Sequence, residues 1–152
     1  MIIQLIGLPG SGKTYLIKKY LEENRDKEIT YIDIADPKFA IGDIEGDDCP
    51  TCGQPKPTIS KAGLFKASVL EAKKASQDVI AESACGVFIS NSEVVLLECD
   101  TLKRREQYKR REGKEVDESY ENNLKQAMMP SIYTVTSEQA LFDILDTLFN
   151  KR

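Results

Sequence analysis

The chain has 152 residues, 30% of them charged and 41% hydrophobic, and a formal net charge of −4. That length supports one domain with one sizeable core, and the acidic balance excludes a general polyanion binder, so any nucleic-acid contact needs a local basic patch. No apolar run approaches the ~20 residues of a membrane span and the start of the chain has no signal-peptide pattern, so the expectation is a cytoplasmic protein without a membrane partner.

Residues 2–6 form the first predicted strand, a short apolar run of the buried type. It runs into "GLPGSGKT", residues 7–14, which has the spacing G-x-x-x-x-G-K-T. A helical pattern over 14–23 follows, with Leu16, Ile17, Tyr20 and Leu21 on one side. Strand, glycine loop and helix are the context in which this motif binds a nucleoside triphosphate. Gly7, Gly10 and Gly12 let the backbone approach the phosphates, and the helix start adds the positive end of its dipole. Lys13 is placed to reach the β- and γ-phosphates, and the Thr14 hydroxyl to ligate Mg²⁺. Pro9, Ser11 and Tyr15 complete the candidate nucleotide-binding set.

The second strand covers 29–34 and ends in "YIDIADP". Asp33 or Asp36 is a candidate to accept a proton from an attacking hydroxyl, although Asp-Pro also opens turns. Residues 35–60 are irregular, hold four of the six prolines, and carry "CPTCG". Cys49 and Cys52 can share a Zn²⁺ as a zinc-knuckle insertion at 45–60. Such a site wants four ligands, which Cys85 and Cys99, Asp47 or Asp48, or a second chain would have to complete; free thiols and a redox pair are the alternatives. The oligomeric state stays open between monomer and homodimer.

A helix is predicted over 62–77, then a short strand at 79–81 ending at Glu82, followed by "SACG", and another strand at 93–98 followed by Asp100. Positioning of magnesium and water needs an acid at the carboxyl end of a neighbouring strand; Glu82 is favoured over Asp100. There is no histidine, so acid–base work falls to carboxylates, lysines or the substrate. Residues 101–114 hold seven Lys or Arg in fourteen positions and read as a basic helix. A further helix spans 117–128 before Pro130, with Met128 and Met129 as core or helix end, and the last strand spans 132–135. Thr136 with Gln139 predicts a capping box for a final helix through Leu141, Ile144, Leu145 and Leu148. The alternation predicts an α/β fold: a parallel sheet of about five strands with helices on both faces and an inserted Cys-containing loop.

The glycine loop, "ECDTLKRREQYKRREGKEVDESYENNLKQAMMP" and "IYTVTSEQALFDIL" together resemble the small P-loop kinases, which include nucleotide kinases, adenylylsulfate kinases and the kinase domain of polynucleotide kinase. The resemblance implies an arginine-rich lid at 101–116 with Arg104, Arg105, Arg110 and Arg111 over the phosphates, and an adenine-side loop at 134–137. The chain departs from that group in the short connection after Glu82, in the cysteine pair after the second strand, and in "ESACG", which is similar to a turn of P-loop metallochaperone GTPases. The absence of an N-K-x-D guanine motif argues for ATP. The leading expectation is transfer of the γ-phosphoryl of Mg-ATP to a small acceptor: a nucleotide or nucleoside first, a nucleic-acid end second, another metabolite third. The alternatives are a metal-handling NTPase switch using Cys49, Cys52 and Cys85, and a nucleotide-dependent nucleic-acid adaptor using the basic helix.

Overall fold

Five short apolar runs pair side by side as strands: β1 (Ile2–Ile6), β2 (Ile29–Asp33), β3 (Asp78–Glu82), β4 (Ser92–Leu97) and β5 (Tyr133–Val135). They make one sheet in the order β2-β3-β1-β4-β5, and every pairing is parallel. The structure, a computed structural model, describes residues 1–39, 60–75, 77–83, 87–127 and 133–150. Cys49, Cys52 and Cys85, with Asp47, Asp48, Met128, Met129 and Pro130, lie outside the described residues.

The central strand β1 is buried along its whole length, as a parallel strand covered on both faces must be. Ile3 and Leu5 point to one face, where α1 (Lys13–Glu23) and α5 (Glu138–Phe149) supply Ile17, Tyr20, Leu141, Leu145 and Leu148. Ile2 points to the other, where α2 (Lys61–Lys74) supplies Phe65 and Val69. Gln4 shares that second face and is fully buried. Burial without partners would be costly, but its amide donates to Ser83 Oγ at 2.7 Å and to the Val87 carbonyl, so β1 holds both sides of the segment that leaves β3.

Two further helices, α3 (Thr101–Glu112) and α4 (Glu118–Ala127), follow β4 and form a hairpin. Asp100 caps α3 by accepting from the Lys103 amide at 3.1 Å, so the alternative candidate for the second acid is a helix cap. The expected capping box of Thr136 with Gln139 is corrected by one residue. Ser137 is the N-cap of α5, and its hydroxyl accepts from the Ala140 amide at 3.1 Å. Serine is the residue with the right extended backbone there, at φ −144° and ψ 162°. The third strand is longer than the apolar run suggests, because it starts at the buried Asp78, and α2 stops at Lys74, short of Gln77.

Candidate active site

The loop between β1 and α1 turns on two glycines in the left-handed region, Gly10 at φ 83° and Gly12 at φ 89°. The loop lines a cavity of about 850 Å³, within the ~300–1,000 Å³ usual for small-molecule sites. Gly7, Pro9, Gly10, Ser11, Gly12, Lys13, Thr14 and Tyr15 all contribute to its wall. Lys13 Nζ donates to the Gly7 carbonyl at 2.7 Å and approaches Leu8 O and Ser11 Oγ at 3.4 and 3.5 Å. An ammonium resting on its own loop's oxygens lies where phosphate oxygens of a bound nucleotide would be met.

Strand register brings the acids to this loop. Asp33 and Glu82 are paired neighbours at the carboxyl ends of β2 and β3, so their side chains leave the same face of the sheet, the face carrying α1. Thr14, in the first turn of α1, therefore meets Glu82: its Oγ1 lies 2.8 Å from Oε1 and 2.9 Å from Oε2. Tyr31, two residues before Asp33 on the same strand face, puts its hydroxyl 3.3 Å from Glu82 Oε1 and 3.4 Å from Asp33 Oδ2. Burial, and then the charge of Asp33, push the Glu82 carboxyl above the usual range; the Thr14 hydroxyl and Lys13 partly offset this. Burial and the same two carboxylates push the Tyr31 hydroxyl up as well. Thr14 hydroxyl and Glu82 carboxylate are hard oxygen donors side by side next to a lysine and an acid, a set that fits Mg²⁺.

The structure separates the sequence candidates. Asp33 lines the cavity, with Oδ1 held at 2.9 Å by the Ala35 amide. Asp36 does not line it, and accepts instead from the Lys38 amide at 3.0 Å as a turn former. Of the four arginines, Arg111 lines the cavity. Arg104 is 2% exposed; its Nη1 donates to the Pro9 carbonyl at 3.2 Å and to Glu121 Oε2 at 2.7 Å. Arg105 pairs with Glu121 at 3.1 Å and Arg110 with Glu106 at 2.6 Å. The basic helix is thus largely neutralised by acids, with Lys109 also paired to Glu115 at 3.6 Å. Residues 134–137 do not contribute to the cavity wall. Cys99 is a free thiol two residues beyond β4, and no group of three or more metal-ligating side chains exists among the described residues.

Sequence reasoning missed Tyr31, Lys18, Ser83, Gln107, Tyr120 and Leu124, all of which contact the acids or the cavity. Tyr31 has a readable signal, its two-residue spacing from Asp33 on a strand. The α4 residues have none, because their approach depends on how the hairpin folds back.

The chain matches no protein-family model and no curated protein. It does match solved structures over nearly its whole length. A gluconokinase from Sinorhizobium meliloti 1021 superposes with a TM-score of 0.58 at 14% identity, over 99% of this chain and 97% of that one. A shikimate kinase from Bacteroides thetaiotaomicron gives 0.56 at 15% identity, over 98% of each chain. A sugar kinase from Janibacter sp. HTCC2649 gives 0.56 at 11% identity, over 98% and 94%. The fold is that of the small P-loop kinases. Among the described residues no helix is long and apolar enough to cross a membrane.

Proposed function

We propose that this protein is an Mg-ATP-dependent phosphotransferase acting on a hydroxyl of a small metabolite. The observation that carries the reading is the convergence of Lys13, Thr14, Glu82 and Asp33 on one cavity at the carboxyl ends of three adjacent parallel strands. Such edges are where ligands bind in open α/β sheets.

The loop amides and Lys13 would hold the triphosphate, and Thr14 with Glu82 would hold magnesium, which would supply positive charge against the phosphates. Asp33, kept in place by the Ala35 amide and by Tyr31, takes the proton of the attacking hydroxyl. The acceptor oxygen bonds to the γ-phosphorus as the bond to the β-phosphate oxygen breaks, leaving ADP. Arg111, on the cavity wall, faces charge that develops on the transferred group. The arginines read from the sequence as lid groups divide accordingly: Arg111 is the candidate at the phosphates, Arg104 and Arg105 support it, and Arg110 stays outside.

The acceptor order also shifts. The described acceptor end presents Asp33, Ile34, Ala35 and Ser83, which suits a small hydroxylated molecule, and the structural neighbours are by name a gluconokinase, a shikimate kinase and a sugar kinase. A sugar-like hydroxylated metabolite therefore ranks ahead of a nucleotide or nucleoside, and a nucleic-acid end ranks last because most cations of α3 are already paired. Zinc at Cys49 and Cys52 stays a separate proposal, read by metal analysis of the purified protein.

The test is incubation with γ-labelled Mg-ATP and a mixed panel of sugars, sugar acids, nucleosides, nucleotides and 5′-hydroxyl oligonucleotides. A labelled organic product is expected. Labelled inorganic phosphate alone, whatever the panel, would sink the transferase reading in favour of an NTPase switch.

A further inference from the structure

The buried charge cluster under the hairpin takes no direct part in the chemistry above. Glu121 is 1% exposed and Arg104 2%, and they pair at 2.7 Å. Glu121 also takes Arg105 at 3.1 Å and Lys125 at 3.5 Å. Arg104 Nη2 and Arg105 Nε are buried with no hydrogen-bond partner. An apolar contact would hold two helices together without that penalty, so the pair calls for a reason beyond cohesion. The same arginine supplies one: it is the link between hairpin and loop. Its guanidinium donates to the Pro9 carbonyl. Its own carbonyl packs so closely on the loop that a Cβ at Gly10 would stand 2.3 Å from it, and 3.0 Å from Tyr108 Cβ.

Helical spacing extends the link to the cavity. Gln107 and Arg111 lie three and seven residues beyond Arg104, on the same side of α3, and both line the cavity. Tyr120 and Leu124 flank Glu121 at one and three residues' distance on α4, and line it too. We propose that Arg104 and Glu121 are positioning residues whose buried pair locks the α3–α4 hairpin onto the phosphate loop, so that nucleotide in the loop and placement of these four side chains become one coupled event. The coupling itself needs only nucleotide binding; its effect on turnover rests on the phosphotransferase reading.

Hydrogen exchange of the wild type, with and without the non-hydrolysable analogue AMP-PNP and magnesium, reads the coupling directly. Slower exchange across α3 and α4 on adding the analogue is expected. The paired variant Arg104→Met with Glu121→Leu replaces the ions by apolar groups, a change that buried pairs often tolerate. It should still bind the analogue but lose hairpin protection, and its kcat should fall roughly 100-fold, the scale for misplacing groups at a reacting centre, with the KM for ATP near wild type. Exchange in the wild-type hairpin that ignores the analogue overturns the proposal. So does a paired variant that turns over at the wild-type rate per folded molecule. Should the paired variant not fold, the wild-type exchange decides alone; should no acceptor be phosphorylated, the function reading fails while the exchange result still decides the coupling.

Discussion

Asp33 and Asp36 stand three positions apart in a single short segment, but one carboxylate faces the cavity beside Glu82 and the other closes a turn on the Lys38 amide. Their substitutions should therefore diverge. Asp33→Asn removes the proton acceptor, and kcat should drop by roughly 10²–10⁴-fold, the usual range for a general base, with ATP affinity little changed. Asp36→Asn should leave kcat near wild type; steady-state rates for the two variants make the comparison. Lys13→Ala tests a different residue-level claim, that the ammonium now resting on Gly7 O turns to phosphate. It should weaken ATP binding measured by titration calorimetry, whatever the acceptor. The glycine loop and Glu82 were legible because their chemistry is local: a motif with its strand and helix, and an acid closing an apolar run. The choice between the two aspartates was not, since it depends on which one the strand register carries onto the α1 face.

Helix α3 shows what a sequence alone withholds at the scale of elements. Seven cations in fourteen residues mark a basic stretch, but their partners are spread over α4 (Glu118 and Glu121), the turn before it (Glu115) and α3 itself (Glu106 and Glu112). Arginine at one α3 position is a cavity group and at another a buried strut, and only the packing of α3 on the loop decides which. Gly10 and Gly12 make the packing argument testable. Both have positive φ, so a side chain costs roughly 1–2 kcal/mol in backbone strain at either. A Cβ at Gly12 meets nothing within 4 Å, whereas at Gly10 it would sit 2.3 Å from the Arg104 carbonyl. Gly10→Ala should therefore lower stability more than Gly12→Ala in denaturant titrations. It should also loosen α3, seen as faster hydrogen exchange in that helix.

Across the whole molecule, the parallel sheet and the helices on both faces follow from the alternation of apolar runs with helical periods, whereas the strand order β2-β3-β1-β4-β5 comes from the structure. The balance of buried charge could not. Glu121 sits among Arg104, Arg105 and Lys125, with Glu118 the other acid on Arg105. The Arg104 hydrogen bond, working against burial and aided by Arg105, holds its carboxyl down at about 2 from an ordinary 4.5. A depressed carboxyl contributes stability that is complete above 4.5 and disappears as pH falls toward 2. Wild-type unfolding free energy should fall across that window. Glu121→Gln should start lower, by roughly 3–5 kcal/mol for a broken buried pair, and lose less on acidification. Equal acid slopes for the two proteins would remove this group from the acid response.

A phosphotransferase ties ATP consumption to an organic acceptor. The most direct measurement is ³¹P NMR of Mg-ATP with the purified protein, in the presence and absence of the acceptor identified from the mixed panel. ADP and a new phosphomonoester should appear together in equal amounts, dependent on the acceptor and largely lost in Asp33→Asn. ADP with inorganic phosphate at the same rate, with or without any acceptor, would contradict the phosphotransferase reading.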